Sequence, residues 1–244
     1  CTLSGAGPRA VPHPSRQFVG FELQSRKLSE VVVVSGKLAW AVRLGRLVAI
    51  AGIVGVAPGE PAELWARGHG IIPAPQRIQC FQGQVALDES WSVVPEAVGP
   101  DHIAVRSLLG DLRDFHKLRL SVGQATKKAI RLRVQREVVM TESDPRVSPQ
   151  AYRLEVRPEL IEITGNDLPG LFYGVQTLLW LVRRDLNGQL VLPRVVIEDW
   201  PRLPLRFLHW DTKHHQDRPE TLRRYLDWAA RFKANMIGFE LEDK

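Results

Sequence analysis

Residues 206–240 constrain the fold more than any other stretch of the chain. RFLHWD (206–211) reads as an apolar strand and TKHHQDR (212–218) as a polar loop. Pro219 then opens a helix at its first turn, where its missing N–H leaves no bond unmade, and Leu222, Tyr225, Leu226, Ala229 and Phe232 recur on one face. After Lys233-Ala234-Asn235, MIGFELED (236–243) reads as a second strand. Strand, loop, helix and strand within about 40 residues make a βαβ unit, and hence a parallel pair in an α/β domain. One such unit cannot cover both faces of a parallel sheet. The segment is therefore expected to be the first two strands of a larger domain, cut short where this chain stops.

Upstream, EDWPRLPLR (198–206) marks a boundary, because Pro201 and Pro204 break regular structure. Before it, AYRLEV (151–156) and LIEITG (160–165) alternate as two strands of a hairpin, with Pro158 confined to the turn. Asn166 or Asp167 can cap the helix that follows, where Leu171, Val175, Leu178, Leu179 and Val182 form a wide apolar face. Arg183 and Arg184 suit its C-terminal end through the helix dipole. Leu186-Asn187-Gly188 then turns the chain into the strand QLVLPRVVIED. Earlier still, RIQCFQGQVAL predicts a strand with a turn at Gln82-Gly83, and HIAVRSLLGDLRDF (102–115) a short helix on Ile103, Leu108, Leu109, Leu112 and Phe115. KKAIRLRVQREVVM predicts a half-buried strand with Ile130, Leu132 and Val134 inward and its arginines toward water. Residues 71–200 thus read as a compact α+β unit with no convergent acids, histidines or nucleophile. Residues 1–70 have loop composition around an apolar run and read as an irregular or poorly ordered extension.

A chain of 244 residues that is 44% apolar and 25% charged belongs with ordinary globular proteins. Its net charge of +6 is spread along the chain without runs of five basic residues, which argues for a solvated surface and against nucleic acid as partner. The apolar segment 31–57 carries Lys37, Arg43 and Arg46, and its longest uncharged piece is eleven residues. A membrane-spanning helix needs roughly 20, so no span is expected. Cys1 and Cys80 are too few for a disulfide framework. A first residue of Cys in place of Met fits either a processed lipoprotein or a sequence whose true start is missing, and the second is the simpler reading.

The stretch 206–220 holds three histidines, His209, His214 and His215, and two aspartates, Asp211 and Asp217. Their spacing matches no common zinc pattern, so no metal site is assigned. His209, between Leu208 and Trp210, reads as an interior histidine of a core or barrel. Asp211 closes the strand, where it either lines a substrate site or braces the loop. Lys213 and His214 are candidate contacts in that loop, and Glu240, Glu242 and Asp243 a candidate acidic rim at the second strand's end. For each of these the alternative is plain solvated surface.

The segment AYRLEVRPELIEITGNDLPGLFYGVQTLLWLV, followed by LPRVVIEDWPRLPLRFLHWD, resembles the junction of glycoside hydrolase family 20, the β-N-acetylhexosaminidases. There a small α+β domain precedes a (β/α)8 barrel. GLFYGVQTLL is the most specific motif, and IIPAPQ at 71 looks like the opening of the small domain; the likeness covers roughly residues 71–244. The resemblance implies three regions: 1–70 outside the likeness, 71–200 the small domain, and 201–244 the start of an incomplete TIM barrel.

Arg206 and Asp211 match the Arg and Asp of the family's first barrel strand. The loop after it normally reads D-x-x-R-H, and here His214 stands where that sugar-holding Arg would be, with Lys213 beside it. The bidentate fork is lost. The second strand ends Glu240-Leu241-Glu242-Asp243 where many members read H-W-H-L-T-D-D, which is closer to the divergent exo-hexosaminidase branch. The resemblance implies N-acetylhexosamine-containing glycans as substrate, no cofactor, and a substrate-assisted mechanism whose Asp-Glu pair sits on the fourth barrel strand. No catalytic residue is therefore expected in this chain. A non-catalytic carbohydrate-binding or scaffold module is the competing class.

Overall fold

The computed structural model describes residues 61–96, 98–123, 127–141, 144–211 and 217–240, all within one contact-defined unit. In chain order the elements are α1 (Pro61–Ala66), β1 (Arg77–Ala86), β2 (Trp91–Pro95), α2 (Ile103–His116), β3 (Ser121–Val122), β4 (Lys128–Val134), β5 (Tyr152–Val156), β6 (Leu160–Gly165), α3 (Leu168–Leu181), β7 (Arg183–Arg184), β8 (Leu190–Asp199), β9 (Phe207–Asp211), α4 (Pro219–Arg231) and β10 (Met236–Glu240).

Alternation decides which side of each strand is buried. In β5, Tyr152, Leu154 and Val156 point to the core while Arg153 and Glu155 point away, and its hairpin partner β6 buries Ile161 and Ile163. β8 continues the pattern with Val195, Ile197 and Asp199, and joins β5 antiparallel with Tyr152 opposite Asp199. The sheet runs β1-β8-β5-β6-β4-β2-β3, with β7 attached to β8. β6, β4, β2 and β3 are parallel to one another, and the β8 side is antiparallel. Helices α2 and α3 supply Ala104, Val105, Leu108, Leu112, Leu171, Val175 and Leu178 to the core. Apolar area removed from water, at about 25 cal/mol per Å², is what holds these layers together.

Outward positions of the strands carry ion pairs. Arg133 bridges Glu96 and Glu162, and Arg153 bridges Glu155 and Glu198. The arginines expected to face water do so in part, held by cross-strand carboxylates. Each such half-exposed pair contributes about 0–1 kcal/mol.

Helix α3 lies close on the sheet because the motif GLFYG places Gly170 and Gly174 one turn apart on its inner side. A Cβ at Gly170 would stand 2.0 Å from the Ala151 carbonyl oxygen, and one at Gly174 would stand 2.4 Å from Ile163 Cγ2. Asp167 caps the helix, accepting from the Leu168 N–H at 2.8 Å. Asn166, the other candidate cap, is buried and bonds both backbone groups of Val139.

Four local expectations change. Gln82-Gly83 is a register shift inside a continuous ten-residue β1, because β8 pairs with the strand on both sides of it. Arg183 and Arg184 leave the helix and form β7 against Val191 and Leu190. Ile103 and Phe115 face outward on α2, while Ala104 and Val105 take the buried positions. Within the segment read as irregular extension, Pro61–Ala66 is helical and Leu64 and His69 are buried.

The βαβ unit is present as expected. β9 and β10 form a parallel pair in register from Phe207 opposite Met236 to Glu240 opposite Asp211, with α4 as the crossover. Leu208 and Trp210 face α4, where the Trp210 ring lies 4.0 Å from that of Tyr225. Among the described residues no helix is long and apolar enough to cross a membrane. The apolar segment 31–57 lies outside them.

Candidate functional site

The period-two geometry of a parallel pair places Phe207, His209 and Asp211 of β9 on the same side as Met236, Gly238 and Glu240 of β10. This side is turned away from α4. Asp211 and Glu240 are register partners at the C-terminal ends of the two strands. His209, one pleat earlier, reaches Glu240 with its Nε2 3.1 Å from Oε2. The Phe207 ring leans over Gly238, where a Cβ would meet it at 2.8 Å, and stacks beside His209 at 6.3 Å between centroids. The surface therefore offers an aromatic floor at one end and two carboxylates at the other. Carboxylates accept hydrogen bonds from hydroxyl and amide donors, and ring faces cover apolar surface.

Of the six residues singled out from the sequence, the structure brings Asp211 and Glu240 together. Lys213, His214, Glu242 and Asp243 lie outside the described residues. His209 is not a core residue: its side chain is 56% exposed and pairs with Glu240. The signal for it was in the sequence, since His209 and Asp211 are two apart in one strand and share a face. Trp210, on the other side, donates its indole N–H to Asp217 Oδ2 at 3.2 Å and so ties the strand end to the residue preceding α4 by two.

The N-terminal ends of the same strands are clamped. The Arg206 guanidinium donates to the Lys233 carbonyl at 2.6 Å, the Leu203 carbonyl at 2.9 Å and Gln150 Oε1 at 2.8 Å, and lies over the Tyr173 ring. The Arg206 N–H donates to Asn235 Oδ1 at 2.8 Å, and the Asn235 N–H returns a bond to the Arg206 carbonyl at 3.1 Å. Lys233 reaches the core of the main sheet. Its ammonium donates to Asp199 Oδ2 at 2.7 Å and to the Tyr152 hydroxyl at 2.9 Å. Tyr152 in turn donates to Asp199 Oδ2 at 2.9 Å and contacts Thr177 Oγ1. Burial pulls the Lys233 pKa below its ordinary value against the opposing pull of the Asp199 charge. Burial, and then the Asp199 charge, pushes the Tyr152 phenol well above the usual tyrosine range.

Comparison with known proteins agrees with this architecture. The family described as "Glycosyl hydrolase family 20, domain 2" matches residues 68–200. A beta-hexosaminidase of Vibrio vulnificus is 28% identical over 173 residues, covering 71% of this chain and 18% of that protein. A beta-hexosaminidase of Akkermansia muciniphila is 34% identical over 126 residues, covering 51% of this chain and 24% of that protein. Among solved structures, a family 20 exo-β-N-acetylglucosaminidase from Vibrio harveyi, crystallised with N-acetylglucosamine, aligns with a TM-score of 0.59 at 25% identity over 71% of this chain and 25% of its own. A second family 20 β-N-acetylglucosaminidase aligns with a TM-score of 0.56 at 31% identity over 72% of this chain and 31% of its own. The chain thus spans between about a fifth and a third of the length of these relatives. The family match covers more than half of the chain, over the sheet and helices that carry the GLFYG close approach, and this chain belongs to glycosyl hydrolase family 20.

Proposed function

We propose that the chain supplies the small α+β domain (71–200) and the opening βαβ unit (201–244) of a (β/α)8 barrel in a β-N-acetylhexosaminidase that removes terminal β-linked N-acetylhexosamine from glycans. One observation carries the reading: Asp211 and Glu240 stand side by side at the C-terminal ends of neighbouring parallel strands, the rim where such barrels collect their binding groups. In this reading Asp211 and Glu240 accept hydrogen bonds from sugar hydroxyls, and the His209–Glu240 contact holds the second carboxylate in place. Lys213, His214, Glu242 and Asp243 follow these two residues in sequence and add contacts from the same rim.

The mechanism proposed is substrate-assisted and retaining. The acetamido oxygen attacks C1, the C1–O bond breaks, and a glutamic acid delivers its proton to the leaving oxygen while an aspartate orients the acetamido group. That Asp-Glu pair belongs to a fourth barrel strand, and β9 and β10 are the first two. The 244-residue polypeptide accordingly binds the sugar without hydrolysing it.

The test is an NMR titration of the chain with N-acetylglucosamine, together with an assay on an aryl N-acetylglucosaminide. Asp211→Asn and Glu240→Gln each remove a charged acceptor worth about 1.5–3 kcal/mol, so each should weaken binding by about 10- to 100-fold. No aryl glycoside turnover is expected. Binding that ignores both substitutions, or turnover that Asp211→Asn abolishes, overturns the reading.

A further inference from the structure

Lys233 is the only buried lysine among the described residues, and its position makes little sense for stability alone. Taking an ammonium and a carboxylate out of water carries a desolvation cost that their attraction barely returns. Lys233 also adopts the left-handed backbone conformation, φ 61°, at the end of α4, a place where glycine is favoured. A side chain with a buried charge has been put where a residue without one would fit better. Its two partners come from separate strands, Asp199 at the end of β8 and Tyr152 at the start of β5. Those two are themselves held in place: Tyr152 contacts Thr177 Oγ1 in α3, and the Gln76 N–H donates to Asp199 Oδ1 at 3.2 Å.

The backbone of the same residue anchors both strands of the parallel pair. The Lys233 carbonyl accepts from Arg206, the residue before β9, and Asn235, the residue before β10, exchanges bonds with Arg206. The two strands therefore start from one turn; Arg206 fixes its rim to Gln150 and Tyr173, and the Lys233 ammonium is the group of that turn that enters the core of residues 71–200. Asp211 and Glu240 stand at the far ends, about 13 Å away at about 3.3 Å per residue, so a tilt of about 5° at the turn moves them by about 1 Å. A displacement of that size in a positioned group costs about 100-fold in rate.

We infer that Lys233 is a positioning residue: by locking the turn before β10 to Asp199 and Tyr152, the small domain sets where Asp211 and Glu240 stand. This rests on the reading of those two carboxylates as sugar contacts. The small domain is then a gauge for the rim and not only a neighbour of it.

The test compares the parent chain with the double variant Lys233→Met/Asp199→Asn, which removes both charges and leaves neither one unpaired. Hydrogen exchange is followed in 207–211 and 236–240 and, as reference, in 152–165. The expected result is at least tenfold faster exchange in the two strands with the reference unchanged, and at least a tenfold loss of N-acetylglucosamine affinity. Unchanged strand exchange and unchanged affinity in the folded variant overturn the inference. A parent chain that does not bind N-acetylglucosamine sinks the sugar-site reading, while the exchange comparison still decides whether Lys233 holds the strands. If the double variant does not fold, exchange of the Lys233 ammonium protons in the parent chain decides instead. Opening together with the β9 and β10 amides, below the free energy of global unfolding, supports the inference. Opening only with global unfolding, apart from those amides, overturns it.

Discussion

Gly170→Ala and Gly110→Ala should change stability in opposite directions, although both put one methyl group into a helix of the same domain. At Gly170 the new Cβ would stand 2.0 Å from the Ala151 oxygen, 3.0 Å from its carbonyl carbon and 3.1 Å from the Pro149 oxygen. Carbon and oxygen need well over 3 Å, so helix and backbone must part by about 1 Å or more. The Ala151 carbonyl cannot yield freely, because it accepts the Asn166 N–H at 2.9 Å and Asn166 is itself bonded to both backbone groups of Val139. Overpacking costs about 1–3 kcal/mol, and a weakened buried backbone bond adds about 1–3 kcal/mol. Helix propensity returns about 1 kcal/mol. The net expectation is a loss of about 1–5 kcal/mol, a large share of the roughly 5–15 kcal/mol that holds a typical domain. At Gly110 in α2 no atom lies within 4 Å of the new Cβ. There only the backbone effect remains, a gain of about 0.5–1 kcal/mol. Urea unfolding followed by tryptophan fluorescence measures both, since the chain has seven tryptophans. A Gly170→Ala protein as stable as the parent would refute the claim that α3 is seated by backbone contact, as would equal losses at both positions.

Acid should loosen the domain through His69. Its Nδ1–H donates to the Leu181 carbonyl at 3.1 Å and its Nε2 accepts from Arg183 Nε at 3.0 Å, so the ring is held neutral. Burial, and then the Arg183 charge, lowers its pKa to about 4. The unfolded chain then binds the extra proton first, so this contribution is complete above about pH 6.5 and is lost as pH falls toward 4. At about 1.4 kcal/mol per pH unit the loss reaches about 3 kcal/mol for this buried ring. Urea midpoints measured from pH 7 to 4 should fall less in His69→Gln than in the parent, and equal slopes would contradict the assignment. Cys80 should alkylate more slowly than a free thiol at neutral pH, because burial raises its pKa; a rate equal to that of free cysteine would count against this. The β9–β10 pair exposes Phe207, Met236 and Phe239 beside strand edges that no other strand covers among the described residues. Sedimentation should therefore show concentration-dependent self-association, and a strictly monomeric chain at high concentration would speak against that edge.

Local periodicity alone determined much of this protein. The hairpin at 152–165, helix α3 and the β9–α4–β10 unit are legible because an alternation of two or a recurrence at three and four is written in neighbouring residues. The same pattern places Asp211 and Glu240 at strand ends, and a parallel crossover places those ends together. Tertiary structure decided what depends on residues far apart. Gln82-Gly83 reads as a turn until β8, more than 100 residues later, pairs on both sides of it. Arg183 and Arg184 suit a helix end until Val191 and Leu190 offer them a strand partner. Lys233 looks like an ordinary loop lysine, for nothing near it in sequence shows Asp199, 34 residues upstream, waiting in the core. Elements follow from short-range sterics and burial patterns. Sheet order, buried charge pairs and the seating of α3 on Ala151 follow from long-range contacts whose energy exists only once the chain has folded.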